Sequence, residues 1–81
     1  MNRQELLSRI TISPDIYFGK PCIRGHRIWV SLILDFLASG MNFQEILEEY
    51  PQLESEDILA CIAYGAELSR EYFFEIPIES K

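Results

Sequence analysis

The spacing of apolar residues predicts three helices in residues 31–73, because apolar side chains recur there at intervals of three and four. Ser31 is a favourable N-cap for the first helix, and Gly40 supplies a left-handed stop. Asn42 and Glu45 have the spacing of a capping box, which predicts the start of the second helix.

Pro51 ends the second helix, and the third is predicted to run from Glu54 or Ser55 to about Tyr72. Its apolar residues form two faces, whereas a surface helix needs only one. The face that we expect to be the intramolecular core comprises Leu59, Ile62, Ala63 and Ala66. The second face is predicted to meet a partner or a second copy, or else to lie under the N-terminal hairpin; it comprises Cys61, Tyr64, Gly65, Leu68 and Tyr72.

The end of the chain is rich in apolar residues that need cover. Pro77 rules out continued helix, so we expect residues 74–81 to dock on a neighbour or on the body of the same chain. The small size of the domain, the two-faced third helix and this tail together predict a homodimer. The predicted partner or dimer interface comprises Tyr64, Leu68, Arg70, Tyr72, Phe73 and Phe74.

Alternating apolar residues predict a short β-hairpin in the first 30 residues. Residues 10–12 are β-branched and residues 27–30 alternate, so we expect these two segments to pair around a long loop. Ile28 and Val30 should then face inward, because an isolated two-stranded ribbon is unstable without packing.

The loop over residues 19–28 is the most probable place for function by composition, since it combines glycine, proline and fixed positive charge. Residues 1–27 carry five basic and two acidic side chains, whereas residues 28–81 carry two basic and eleven acidic ones. Such asymmetry suggests partners of opposite charge, although it is equally compatible with an ordinary solvated surface. The candidate DNA- or partner-binding residues are Lys20, Arg24, His26 and Arg27.

Composition argues against several other classes of function. The 81 residues allow one domain, with no apolar run near the roughly 18 residues of a membrane span and no signal-like N-terminus, which predicts a cytoplasmic protein. Two cysteines and one histidine fall short of a structural zinc site. Cys22 near His26 lacks an orienting third group, and Lys20 with Gly25 lacks the spacing of a phosphate-binding loop. We therefore expect no catalytic residues, no cofactor and no small-molecule substrate.

The predicted fold class is mainly α: a three-helix helix-turn-helix unit of homeodomain-like type, with a short N-terminal β-hairpin. The single domain, residues 1–81, comprises the hairpin and basic loop (1–30), the three-helix unit (31–73) and the apolar tail (74–81). In such units the last helix often reads the major groove. Here its first turn, residues 54–57, carries three carboxylates that would repel phosphates, so any DNA contact should come from the basic loop.

The run from Gly19 to Val30, followed by Gly40 and residues 50–58, resembles the bacterial domain of unknown function 433 family over about residues 10–68. The resemblance implies a homeodomain-like fold with an N-terminal β segment. It also implies kinship with VapB-type antitoxins, which neutralise a PIN-like nuclease toxin encoded beside them and bind DNA for autoregulation. This chain has His26 and Glu54 where the family commonly has threonine, and the family supplies no catalytic residues.

The leading hypothesis is therefore a non-enzymatic, antitoxin-like binding module. Because PIN-like nucleases hold metal in a carboxylate cluster, an inserted arginine could block that site, and the candidates are Arg24, Arg27 and Arg70. The alternatives are a stand-alone DNA-binding transcriptional regulator and a structural homodimer without further activity.

Overall fold

A computed structural model describes residues 1–15 and 19–71 of the chain, so the predicted interface residues Tyr72, Phe73 and Phe74 lie outside the described residues. Within that part the protein is mainly helical, with one two-stranded antiparallel hairpin, and this confirms the predicted fold class. The elements in chain order are α1 (Arg3–Leu7), β1 (Ile10–Thr11), β2 (Cys22–Ile23), α2 (Val30–Ala38), α3 (Phe43–Glu49) and α4 (Ser55–Glu71).

Helix α1 is an element that the sequence analysis missed. The side chain of Asn2 accepts a hydrogen bond from the Glu5 amide at 2.8 Å, and the Glu5 carboxylate accepts from the Asn2 amide at 3.4 Å. This capping box resembles the one that predicted α3, and it offsets the cost of starting so short a helix. Helix α1 packs along α4.

The predicted pairing of residues 10–12 with residues 27–30 is wrong. Strand β1 pairs instead with β2, so that Ile10 lies opposite Ile23, and the second segment touches β2 only through an isolated bridge at Trp29. The reason is burial: Cys22 and Ile23 are each only 1% exposed, so the middle of the predicted loop is an inner strand.

The predicted N-cap of α2, Ser31, is wrong by two residues: the helix begins at Val30, and Ser31 lies inside its first turn. Trp29 is the N-cap, in an extended conformation and without a side-chain capping bond. The Val30 amide donates to the Pro21 carbonyl at 3.1 Å, so the chain passes directly from the β-bridge into the helix and no polar cap is needed. The predicted stop is confirmed, since Gly40 follows the helix with φ of 102°.

Helix α3 begins as its capping box predicted. The Asn42 side chain accepts from the Glu45 amide at 2.8 Å, and Glu45 accepts from the Asn42 amide at 2.9 Å. Helices α2, α3 and α4 pack against one another around a core that the hairpin completes. The inward orientation of Ile28 and Val30 is confirmed. The buried core comprises Ile23, Ile28, Val30, Ile33, Ile46, Leu53, Ile58 and Cys61.

The predicted core face of α4 is wrong, and the second face is covered only in part, since Leu68 is still 37% exposed. Leu59 and Ile62, expected in the core, are each 41% exposed, whereas Cys61 is fully buried. Helix α2 covers the other face, and a methyl group placed on Gly65 would come within 3.2 Å of Leu34 Cδ1. Gly65, the small residue that suggested an external partner, therefore allows α2 of the same chain to pack closely against α4. Among the residues that the structure describes, no helix is long and apolar enough to cross a bilayer.

Candidate functional site

A tight turn over residues 24–27 carries three of the four predicted basic-loop residues. The His26 amide donates to the Ile23 carbonyl at 2.9 Å, and the Ile23 amide donates to the Ile28 carbonyl at 3.0 Å. Gly25 takes φ of 83°, a left-handed conformation that glycine adopts without penalty. Because Ile23 and Ile28 are both buried, the turn is held at each end by the core.

The four basic-loop residues do not form one site. Lys20, His26 and Arg27 line a common cleft of about 210 Å³. Arg24 lines a separate, larger cleft together with Arg9, and only His26 borders both. The structure thus brings three of the predicted residues together and separates Arg24 from Arg27. We call the first the basic cleft; it is lined by Thr11, Ser13, Lys20, Cys22, Gly25, His26 and Arg27.

Among the residues that the structure describes, no carboxylate lines the basic cleft, although acidic residues outnumber basic ones in the chain. Arg27 is exposed, and it forms no ion pair with any residue in the described ranges 1–15 and 19–70; the same is true of Arg24. The contrast is with Arg3, Arg9 and Arg70, which all pair with carboxylates on α4 or just before it. Two arginines on a rigid turn are thus available to an external anion.

Lys20 is positioned by an aromatic ring. Its Nζ lies 4.2 Å from the centroid of the Trp29 ring, a cation–π geometry that limits where the ammonium group can go. Trp29 is itself held between β2 and the start of α2. The position of the Lys20 charge in the cleft is therefore also restricted by the fold.

The larger cleft, of about 450 Å³, has mixed charge. In it Arg9 Nη1 donates to Glu54 Oε1 at 2.9 Å and to Asp57 Oδ1 at 3.0 Å. The hydrogen bond that Arg9 donates to Glu54 and, to a smaller extent, the one that it donates to Asp57 raise the already high pKa of the Arg9 guanidinium. Sequence reasoning missed Arg9, because its partners are more than 40 residues away and no local pattern links them.

The two cysteines are not placed for nucleophilic chemistry. The buried thiol of Cys22 donates to the Lys20 carbonyl at 3.4 Å and so faces its own backbone. Burial, with a smaller effect of the nearby Asp57 carboxylate, raises the pKa of the Cys61 thiol to about 12. Within the described part of the chain, no cluster of three or more potential metal ligands occurs.

The predicted interface residues are split between two surfaces. Tyr64 and Leu68 line an apolar groove of about 280 Å³ between α4 and α2, next to Lys20. Arg70 lies on the exposed side of α4, where its Nη1 is 3.3 Å from Glu67 Oε2. The structure therefore does not bring Arg70 together with Tyr64 and Leu68 into one patch.

Fold and site together define a small, mainly helical protein that presents a basic turn on an acidic body. The chain belongs to the family described as "Protein of unknown function (DUF433)", whose model matches residues 10–65. The matched segment contains the hairpin, the basic turn, α2, α3 and most of α4.

Two further comparisons show what the chain is similar to, and the solved structure among them is itself a member of this family. The chain is 36% identical over 56 residues to "Uncharacterized protein y4eO" of Sinorhizobium fredii; the match covers 69% of this chain but only 25% of that protein. The chain therefore spans about a quarter of the length of this curated relative. It is also similar to the crystal structure of a DUF433 member protein from Anabaena variabilis, with a TM-score of 0.73 and 31% identity, covering 84% of this chain and 67% of the other.

Proposed function

We propose that this protein is a non-enzymatic, antitoxin-like binding module of the cytoplasm that neutralises a PIN-like nuclease. The observation that carries the proposal is the basic cleft, in which Lys20, His26 and Arg27 stand on a rigid frame and no carboxylate occurs among the described lining residues. Such a cleft suits a concentrated anionic partner surface, and the carboxylate cluster that holds metal in PIN-like nucleases is one.

Arg27 is the residue best suited to enter that cluster. It is exposed, it forms no ion pair within the described residues, and the core holds the turn that carries it. A turn whose backbone is already held loses little further conformational freedom when its arginine meets a carboxylate. Arg24 is the second candidate, on the neighbouring cleft. Arg70 is the weakest of the three, because Glu67 already accepts from it.

The test is co-expression with the gene product encoded beside this chain, followed by growth measurement and pull-down. We expect wild-type protein to restore growth and to co-purify with the nuclease, and Arg27→Glu to fail in both. Arg3→Glu is the matched control: it makes the same charge change at an exposed arginine on α1, away from the basic cleft. Rescue by Arg27→Glu as complete as that by Arg3→Glu would overturn the assignment of Arg27.

DNA binding is the second candidate function, because phosphates fit the same cleft. Any DNA contact by the first turn of α4 is disfavoured by Glu54, Glu56 and Asp57 at that end. If the basic cleft binds DNA, affinity for the protein's own upstream sequence should fall steeply with salt, and Lys20→Ala with Arg27→Ala should reduce that dependence. Salt-dependent DNA binding without any nuclease partner would favour a stand-alone regulator.

A further inference from the structure

The outer face of α4 lacks charge over most of its length. Leu59 and Ile62 are each 41% exposed, and Ala66 is also exposed. Because these residues are separated by three and four positions, they form one stripe along the helix. We call this the outer stripe; its members are Ser55, Leu59, Ile62, Ala66 and Ser69.

Helix α3 shows what an ordinary solvent-facing helix of this chain looks like. Its exposed positions are all polar or acidic, namely Gln44, Glu45, Glu48 and Glu49. The outer stripe of α4 differs in having no charged member, although a quarter of the residues in the chain are charged. A helix face of this kind is typical of a surface that is covered in the assembled protein.

We propose that the outer stripe is the interface of a homodimer in which α4 packs antiparallel against α4 of a second copy. Helix packing about a two-fold axis requires a surface that complements itself. An axis passing between Ile62 and Ala63 places Leu59 of one copy opposite Ala66 of the other. The larger Leu59 side chain of each copy then packs against the smaller Ala66 side chain of the other, and the two-fold axis repeats this contact.

The charges at the two ends of α4 support the same arrangement. Arg70 lies in the last turn and Glu56 in the first, 14 residues apart and close to the same side of the outer stripe. Glu56 forms no ion pair within residues 1–15 and 19–70. In the antiparallel pair, Arg70 of each copy, which already contacts Glu67 of its own chain, lies near Glu56 of the other copy, whereas a parallel pair would place like charges together.

The first experiment measures the mass of the full-length protein in solution by sedimentation. The wild type should be a dimer at micromolar concentration, and Ile62→Arg should be a monomer with an unchanged helical spectrum. Ile12→Arg is the control, since Ile12 is an aliphatic residue 56% exposed on another surface, and it should stay dimeric. A monomeric wild type, or a dimer that survives Ile62→Arg, overturns the proposal.

Charge exchange tests the direction of the helices. Arg70→Glu should weaken the dimer about tenfold, because the two-fold axis places two such pairs in each dimer. Adding Glu56→Arg should restore the wild-type dissociation constant. If the double variant is as weak as or weaker than Arg70→Glu, the antiparallel arrangement is wrong.

Two single-cysteine variants test the register. In the proposed dimer two Ile62→Cys residues lie beside the axis, so they should form a disulfide in air. Two Leu59→Cys residues would be about 10 Å apart along the helices and should remain reduced. Equal crosslinking of both variants would contradict the register. The dimer and the nuclease partner are separable, because Ile62→Arg leaves the basic cleft intact and Arg27→Glu leaves the outer stripe intact.

Discussion

Arg9 and Asp57 join the N-terminal segment to the start of α4: Arg9 Nη1 lies 3.0 Å from Asp57 Oδ1. The other carboxylate oxygen of Asp57 accepts from the Glu54 amide at 2.8 Å. One buried side chain therefore satisfies a backbone donor at the beginning of α4 and binds the residue that precedes β1. The position of the hairpin relative to α4 depends on this contact.

Asp57→Ala should lower the free energy of unfolding by about 2 kcal/mol, since it leaves the Glu54 amide without its acceptor and removes a partner of Arg9. Asp57→Asn should cost less, because the amide oxygen can still accept one hydrogen bond. Urea denaturation measures both. Equal stability of Asp57→Ala and wild type would show that the contact does not hold the fold together.

The capping box of α3 gives a second stability prediction. Asn42→Ala removes the acceptor for the Glu45 amide, and we expect a loss of about 1 kcal/mol. Gln44→Ala is the control, because Gln44 is exposed on the same helix and its replacement should change stability by less than about 0.5 kcal/mol. Chemical denaturation of the two variants under the same conditions measures both losses of stability. Equal losses for Asn42→Ala and Gln44→Ala would contradict a specific role for the cap.

Gly25→Ala should strain the basic turn. The methyl group itself meets nothing within 4 Å, so the cost of about 1 kcal/mol comes only from the positive φ. Gly25→Asn should cost less, because asparagine adopts this conformation more readily than alanine. If the turn positions His26 and Arg27 for binding, Gly25→Ala should also weaken partner affinity more than Gly25→Asn does, which titration calorimetry can measure.

The buried thiol of Cys61 predicts a pH dependence of stability. Its pKa rises from the ordinary 9.0 to about 12 in the folded protein, so between these values the folded state keeps a proton that the unfolded state has lost. The contribution of the Cys61 thiol to the free energy of unfolding is complete below about pH 9, and it falls by about 1 kcal/mol per pH unit as the pH rises toward 12.

The Cys61→Ala variant has no thiol to titrate at this position. The stability difference between wild type and Cys61→Ala should therefore narrow as urea denaturation is repeated at increasing pH above about 9. Other groups that titrate in this range cancel in the comparison, because both proteins contain them. A difference that stays constant with pH would show that the thiol titrates alike in both states.

The parts of the fold that sequence reasoning predicted correctly depend on neighbouring residues. The capping box at Asn42 and the left-handed stop at Gly40 are local, and both are present. The capping box at Asn2 has the same local pattern and was overlooked. The start of α1 could therefore have been predicted from the local sequence as well.

What the sequence could not supply was the choice among tertiary partners. Ile10 can pair with either of two apolar segments, and burial of Ile23 decides between them. The two faces of α4 have similar composition, and the approach of α2 at Gly65 decides which one is core. For the site, composition located the basic residues, but only the fold separates Arg24 from the cleft of Lys20 and Arg27. The homeodomain-like and VapB-type assignments stay predictions.

The most direct test of the proposed function is the affinity of the purified protein for the proposed nuclease partner, measured by titration calorimetry. We expect the double variant Lys20→Glu, Arg27→Glu to bind about thirtyfold more weakly or worse, because it places two carboxylates against an anionic partner surface. Arg3→Glu should bind like wild type. Unchanged affinity in the double variant would contradict the claim that the basic cleft is the binding site.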